Sequence, residues 1–446
     1  MSQTPAPAGA GSNGGAAPGV VPAAVADAHR REWAFVLAAT ARAAGDLDLA
    51  EECVQDAYAA ALTAWTRDGV PRNPGAWLTT AARRRALDAR RRDRVLRAKL
   101  PLLIDPDPPA SATAPPGAGA AEEDQVIGDD RLRLIFTCCH PALAREAQVA
   151  LTLRLVCGLT TAEIAQAFLV SEPTMAARVT RAKKKISGAR IAYRVPGAAE
   201  LPDRLDAVLT VVHLLYTTGH TAPGGPNLVR ADLVGRAIAL ARMLRTLMPD
   251  EREVAGLLAL ILLTDARRAT RADPEGRVLL LEEQDRSRWD RGVIAEGTAL
   301  VLWAVRGGRP GRFALQAAIA ALHAEAPTYA ETDWPQIVAL YDLLLRAWSS
   351  PVVALNRAVA LAMARGPAAG LAEIRELEAD GRLGGYRYLP AAKADLLRRL
   401  GHREAAAQAY QAALDLADNA AEREFLARRL TEMTGPGPRA PARGAE

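Results

Sequence analysis

The chain has 446 residues, of which 50% are hydrophobic and 24% charged, and it carries a formal net charge of +5. This composition can bury a core and excludes a chain that is disordered throughout. The longest apolar run, Val254 to Leu263, is too short to cross a bilayer, and no secretory signal pattern opens the chain. Only 4% of the residues are aromatic, which favours helices over sheets, and the four cysteines lack CxxC spacing. We therefore expect an all-α, soluble, cytoplasmic protein with no membrane span.

The charges are strongly polarised along the chain. Residues 27–100 hold 14 basic and 10 acidic residues, 101–130 hold seven acids and no base, and 131–194 hold 11 bases and three acids. Residues 195–446 are neutral overall. Two basic blocks separated by an acidic strip indicate a polyanionic partner more firmly than the net charge does.

The first segments in chain order are a tail and a helical domain. Residues 1–26 are uncharged and rich in Ala, Pro and Gly, which predicts a disordered tail. Helical patterning follows over 27–100, where Asp46 is placed to cap a helix. Two prolines and two glycines between Arg67 and Gly75 must interrupt that pattern, and Pro74 suits the first turn of the next helix.

The helix after Asp46 carries an acidic patch. Between Asp46 and Asp56 there are five acids and no base. Taken alone, such a patch is a solvated helix face. In a DNA-binding protein it would repel DNA, so contact with a basic protein partner is the better interpretation.

The helix that begins near Pro74 is strongly basic. Nine bases against two acids lie between Arg83 and Lys99. With Trp65 and Trp77 at the two sides of the preceding loop, this helix could hold a nucleic-acid backbone and stack bases. The alternative is a solvated, salt-bridged helix. Helical spacing places three charged side chains on one face: Arg84, Asp88 and Arg91.

A helix-turn-helix pattern follows an acidic, Pro-rich linker over residues 101–128. Thr160 or Thr161 can cap its first helix, and Ser171 caps the second with Pro173 in the first turn. In such motifs the N-terminal turn of the second helix contacts base edges and its basic end contacts phosphates. Seven bases against one acid lie between Glu172 and Arg194. The alternative is an ordinary helical hairpin with a basic face.

The rest of the chain, residues 195–433, predicts one amphipathic helix after another, with a flexible tail over 434–446. Gly366 and Gly401 lie 35 residues apart, each between two helical patterns. The pattern around Gly401 follows the tetratricopeptide repeat. Such an array offers a surface for a protein or small-molecule ligand.

The order of these motifs resembles the extracytoplasmic-function, or group 4, sigma factors of bacterial RNA polymerase. Gly45–Tyr58, Pro71–Leu78 and Ala82–Arg92 resemble sigma region 2, a helical bundle over residues 27–100. The helix-turn-helix resembles sigma region 4, over residues 129–194. Motifs in the C-terminal block resemble the subfamily with a fused tetratricopeptide-like regulatory domain: Asp265–Arg268, Glu282–Asp290 and His323–Ala326.

The resemblance implies three sets of contacts, to core RNA polymerase (β′ clamp helices and β flap) and to promoter DNA. The residues against the β′ clamp helices would be Asp48, Glu51, Glu52, Gln55 and Asp56. Those at the −10 element would be Trp65, Arg72, Asn73, Trp77, Arg83, Arg84, Asp88 and Arg91. Those at the −35 element would be Ser171, Glu172, Thr174, Met175, Arg178, Arg181, Lys183, Lys184 and Lys185. Met175 is also a candidate for the core, because helical spacing pairs it with Val179.

Two other chemistries compete with this interpretation. Adjacent cysteines chelate poorly, so Cys138-Cys139-His140 indicates buried thiols rather than a metal site. Carboxylates of the C-terminal block together with His323 could perform acid–base chemistry, but each acid has an Arg nearby, which is more typical of paired charges. We expect no catalytic residue, metal or cofactor. The competing hypotheses are a stand-alone helix-turn-helix regulator and an enzyme with a vestigial DNA-binding module.

Overall fold

The computed structural model describes residues 20–104, 130–168, 170–222 and 228–435. Over those ranges the chain is helical and forms no strand, which confirms the predicted all-α class. None of the described helices is both long enough and apolar enough to span a membrane. The chain divides into two compact units, the first comprising residues 1–166 with 170–208 and the second 167–169 with 209–446.

The first unit opens with three mutually packed helices, and their ends differ from the predicted boundaries. The first helix starts inside the predicted tail, and the third runs past residue 100. Asp46 caps the second helix as predicted, because its Oδ1 accepts a hydrogen bond from the Leu49 amide at 2.9 Å. Residues 1–19 lie outside the described part of the chain. The helices are α1 (Val20–Ala44), α2 (Leu47–Asp68) and α3 (Pro74–Ile104).

The helix-turn-helix occupies the second half of the same unit. Thr160 and Glu163 form a capping box, in which the Thr160 amide donates to Glu163 Oε2 at 2.6 Å and the Glu163 amide donates to Thr160 Oγ1 at 3.2 Å. Most of the predicted acidic linker lies outside the described residues. The helices are α4 (Asp130–Cys138), α5 (Arg145–Leu151), which continues as a π-helical turn over Thr152–Val156, α6 (Thr161–Ala167) and α7 (Glu172–Gly188). The next helix, α8 (Leu201–His220), begins in the first unit and ends in the second.

The two halves of the first unit pack into one body. Trp33 on α1 donates through Nε1 to the Leu155 carbonyl at 3.0 Å, and the Tyr193 hydroxyl donates to the Ala38 carbonyl at 3.0 Å. Gly158 adopts φ +69°, and a Cβ there would meet the Trp33 ring at 3.0 Å. The segments predicted as separate domains therefore share a core in this structure.

The second unit is built on a helix that is buried on all sides. The apolar run Val254 to Leu263 lies in this helix, α10, which packs against both α11 and α12. Residues 266–290, between α10 and α11, contain two single 3₁₀ turns. The helices are α9 (Ala231–Leu247), α10 (Arg252–Asp265), α11 (Arg291–Val305), α12 (Arg312–Glu325), α13 (Trp334–Ala347), α14 (Pro351–Arg365), α15 (Pro367–Asp380), α16 (Tyr388–Arg399), α17 (Arg403–Asp415) and α18 (Ala420–Thr434).

The two glycines at the predicted 35-residue spacing end helices. Gly366 follows α14 with φ +96°, and Gly401 lies between α16 and α17 with φ +80°, conformations that favour glycine. α14 packs on α15 and α16 on α17, and side chains from α14 to α18 share one hydrophobic core. The tetratricopeptide-like array itself stays a prediction.

Substitution of Gly256 by Ala tests the packing of α10. The added Cβ would lie 2.6 Å from the Ala314 amide nitrogen on α12, so we expect a loss of about 2 kcal/mol in the free energy of unfolding. Gly235→Ala is the matched control, because Gly235 lies exposed within α9 with open space around it. It should gain roughly 0.5–1 kcal/mol. Urea unfolding measures both, and equal effects would contradict the close contact.

Candidate nucleic-acid and protein interface

The predicted recognition helix, α7, has one buried stripe and one exposed face. The Ser171 hydroxyl accepts from the Thr174 amide at 3.4 Å and so caps the helix as predicted, with Pro173 in the first turn. Met175 is fully buried, so it belongs to the core and not to the set predicted at the −35 element. Arg178 is half-buried. The exposed members of the predicted set are Ser171, Glu172, Thr174, Arg181, Lys184 and Lys185.

Lys183 does not join that exposed face. Its side chain is 10% exposed, and its Nζ lies 2.7 Å from Asp48 Oδ1 and 2.7 Å from Glu51 Oε2 on α2. Although burial lowers the pKa of Lys183, the hydrogen bonds to Asp48 and Glu51 outweigh it and raise that pKa above its ordinary value. In this structure Lys183 therefore binds the acidic patch of its own chain, and its contact with a DNA phosphate stays a prediction.

Glu51 is the centre of this contact. Its carboxylate is 7% exposed and pairs with Lys183 through one oxygen and with Arg154 of the π-helical turn through the other. Gln55 donates to the same carboxylate at 3.4 Å. We call Glu51, Lys183, Arg154 and Asp48 the interdomain ion cluster, because it joins α2 to the helix-turn-helix half of the unit.

The rest of the acidic patch stays accessible on α2. Glu52, Gln55 and Asp56 are exposed, as is Asp48 on its solvent side. Asp56 lies 3.9 Å from Arg85 of α3, a long ion pair at the surface that contributes little. Of the five residues predicted to contact a protein partner, only Glu51 is withdrawn from solvent.

The two predicted stacking tryptophans lie in the structure as one packed pair. Trp65 is 1% exposed, and its ring meets that of Trp77 edge to face with 5.7 Å between centroids. A ring buried in this way cannot stack on a base without unpacking, which corrects the prediction for Trp65. Trp77 is half-buried. Arg72 and Asn73 are exposed in the loop, where Asn73 Oδ1 also accepts from the Ala76 amide at 3.0 Å and begins α3.

The basic block on α3 lies on the surface of the unit. The buried residues Leu78, Ala82 and Ala86 face the core. The predicted DNA-contacting side chains of this helix are all exposed: Arg83, Arg84, Asp88 and Arg91. The structure therefore presents two basic helix faces to solvent, one on α3 and one on α7.

The alternative metal site finds no support in the described residues. All four cysteines are buried and free, and burial raises the pKa of Cys139 to about 11. Within the described ranges no three His, Cys, Asp or Glu side chains gather as a metal site would require.

Four acids of the C-terminal block make local structural contacts. Asp265 pairs with Arg268, and Asp290 accepts from the Val293 amide at 3.0 Å to cap α11. Asp285 accepts from the Ser287 amide at 3.0 Å, and Glu283 from the Leu280 amide at 2.7 Å.

Comparisons with known families agree with this geometry. Sigma-70 region 2 matches residues 29–95, sigma-70 region 4 matches residues 133–186, and a family of unknown function (DUF6596) matches residues 204–305. Uncharacterized protein R00370 of Rhizobium meliloti (strain 1021) is 44% identical over 390 residues, which covers 87% of this chain and 90% of that protein. No solved structure matches the chain.

Arg154 is the residue that sequence analysis missed. It is the only charge in the apolar stretch between Val149 and Val156, and that isolation is the signal that could have identified it. A single cation within a buried segment requires an acidic partner.

Replacement of Glu51 by Gln tests the interdomain ion cluster. The change leaves two part-buried cations without their shared counter-charge, so we expect a loss of about 3 kcal/mol in the free energy of unfolding of the first unit. Glu52→Gln is the control, because Glu52 is exposed on the same helix and should stay within about 0.5 kcal/mol of the parent. Equal losses in the free energy of unfolding of the two variants, measured with urea, would contradict a stabilising role of Glu51 in the cluster.

Proposed function

We propose that the chain acts as a group 4 sigma factor, which brings core RNA polymerase to promoters and helps to open them; the matches to sigma-70 regions 2 and 4 support this proposal. The observation that carries this proposal is that one folded unit exposes two basic helix faces and an acidic helix face. A protein that joins a large enzyme to opened DNA needs all three. The polymerase forms the phosphodiester bonds, so this chain needs no catalytic group or cofactor.

The two basic helices suit different parts of a promoter. α7 has the form of a recognition helix, with Thr174, Arg178 and Arg181 toward the −35 major groove and the two exposed lysines toward phosphates. On α3, Arg83, Arg84 and Arg91 offer a basic track for the −10 element as it melts. One linker connects the half that carries α3 to the half that carries α7. Once one half has bound its promoter element, the linker raises the local concentration of the other half near its own element.

The acidic face of α2 suits the basic surface of a protein partner. Glu52, Gln55 and Asp56 are exposed in this structure. The proposed partner of this face is the β′ clamp helices of polymerase. The β flap would contact the half that matches region 4. Asp48 and Glu51 are held by Lys183 and Arg154 in this structure.

Binding to polymerase would therefore exchange one set of ion pairs for another. A basic clamp surface that takes Asp48 and Glu51 releases Lys183, which then adds a cation to the DNA-facing side of α7. The packed arrangement is a resting form, and polymerase selects the open form by its better affinity for the freed acidic face.

The second unit is proposed as a tetratricopeptide-like domain that modulates this activity. Its support is the series of packed helices from α14 to α18 with glycine turns at the predicted spacing. The proposed site of action is the cytoplasm, on promoter DNA of the nucleoid.

Two substitutions should separate the proposed contacts. Arg178→Ala should weaken −35 binding, by about 1–3 kcal/mol if the contact is to a base edge, and leave core binding unchanged. Asp56→Ala should weaken core binding and leave the affinity for duplex DNA unchanged. Run-off transcription with core polymerase, together with separate DNA and core binding assays, measures both, and Asp68→Ala at the other end of α2 is the control. Identical defects in both assays would contradict the division, and DNA binding with no core association would favour the stand-alone regulator.

A second pair of variants tests the resting form. Lys183→Ala removes one cation that competes for the acidic face, so core polymerase should bind roughly fivefold more tightly. Lys184→Ala, one residue along α7 and exposed, should weaken DNA binding without raising the affinity for core. Fluorescence titration of labelled full chain with core polymerase measures the change. A folded Lys183→Ala protein with unchanged or weaker core affinity would overturn the competition.

A further inference from the structure

The second unit contains a cavity that the proposed role in transcription does not use. Its volume is about 340 Å³, within the range of small-molecule sites, and it lies among α10, α12, α13, α14 and the segment between α10 and α11. A second cavity of about 800 Å³ shares four lining residues with it, among them His323, Tyr341 and Asn356.

The smaller cavity is lined by one cationic side chain and by no acidic one. Arg267 lines it, and none of its described lining residues is acidic. Among the described residues the Arg267 guanidinium has neither a hydrogen-bond acceptor nor an acidic partner. Burial lowers the pKa of Arg267, and the neighbouring Arg286 lowers it further. A part-buried cation in this position is costly unless something negative accompanies it.

Arg286 adds a second cation near Arg267, and the neutral imidazole of His323 lines the same cavity. Arg286 is 7% exposed; its Nη1 donates to the His323 carbonyl at 2.7 Å and to the Ala326 carbonyl at 2.8 Å, while its buried Nη2 has no partner. His323 lines the cavity, and its Nδ1 has no hydrogen-bond partner. Burial, with Arg267 and Arg286 nearby, lowers the pKa of His323 to about 4, so the ring is neutral at pH 7.

Most of the remaining wall is apolar. Leucines of α10, Ile319 and the rings of Trp289 and Tyr341 surround the space, while Thr264 and Asn356 add neutral hydrogen-bonding groups. A site with one fixed charge, a few neutral polar groups and apolar walls fits a molecule with a charged head and an apolar body. Inorganic phosphate would pair with the Arg267 guanidinium but would make no contact with the apolar side chains.

We propose that this cavity binds a small organic anion, whose carboxylate pairs with Arg267 and whose apolar body lies against Trp289 and Tyr341. A carboxylate fits a guanidinium through two parallel hydrogen bonds, so Arg267 sets both the charge and the orientation of the molecule. Binding would supply the negative partner that Arg267 lacks.

A panel of ω-phenylalkanoates, from phenylacetate to 6-phenylhexanoate, tests this site on the full chain by calorimetry and tryptophan fluorescence. At least one member should bind with 1:1 stoichiometry, and its matched primary amide at least tenfold more weakly. Inorganic phosphate should not compete at similar concentration. Absence of saturable carboxylate binding across the panel, or equal binding of acid and amide, would overturn the proposal, as would competition by phosphate alone.

Substitutions of Arg267 test whether the carboxylate pairs with this residue. Arg267→Gln should weaken the best carboxylate at least tenfold, and Arg267→Lys should recover part of that loss because it keeps the charge. Arg288→Gln is the control, since Arg288 is an exposed arginine of the same segment. Unchanged affinity in Arg267→Gln would overturn the proposed pairing.

Thermal unfolding without any anion separates a binding role from a structural one. If Arg267 lacks a partner in the empty protein, Arg267→Gln should unfold at the same or a higher temperature than the parent. A large drop in that temperature would show that the guanidinium is needed by the fold, and would overturn the proposal. None of these measurements requires polymerase or DNA, so the outcome is independent of the proposed role in transcription.

Discussion

The carboxylate of Glu51 is the centre of the ion cluster between the two halves of the first unit. It belongs to the helix with the acidic face, and its two oxygens pair with cations of the helix-turn-helix half, Lys183 and Arg154. Such a buried cluster costs desolvation on both sides, so its net contribution depends on how completely each charge is paired. That balance makes it suited to exchange, because a partner with better-placed cations can take over the carboxylate.

The ion cluster also links the charge on the exposed face of α7 to the charge on the acidic face of α2. While Lys183 pairs with the acidic face, α7 has one exposed cation fewer, and the Glu51 carboxylate is withdrawn from the surface of α2. In the proposed exchange, release of Lys183 would change both surfaces together and so couple binding to polymerase with binding to the promoter. The exposed bases of α3 lie outside this exchange and stay available throughout.

Helix caps and buried helix faces were predictable from the sequence. Contacts between residues far apart in the sequence were not. The caps at Asp46 and Ser171, the helix that begins at Pro74 and the buried stripe with Val179 follow from residue types and helical spacing. The burial of Lys183 and Trp65 was not predicted, because periodicity gives the helix face on which a residue lies but not what covers that face. The partner of Lys183 is more than 130 residues away, a distance at which spacing carries no information.

A distance between α2 and α7, measured in solution, tests the exchange most directly. Dyes on cysteines introduced at Thr63 and Ser187, both exposed, would report it in the full chain by energy transfer, since the four native cysteines are buried. We expect a single short distance in the free protein and a clearly longer one once core polymerase is added. An unchanged distance in a complex that initiates transcription would contradict the release of α7.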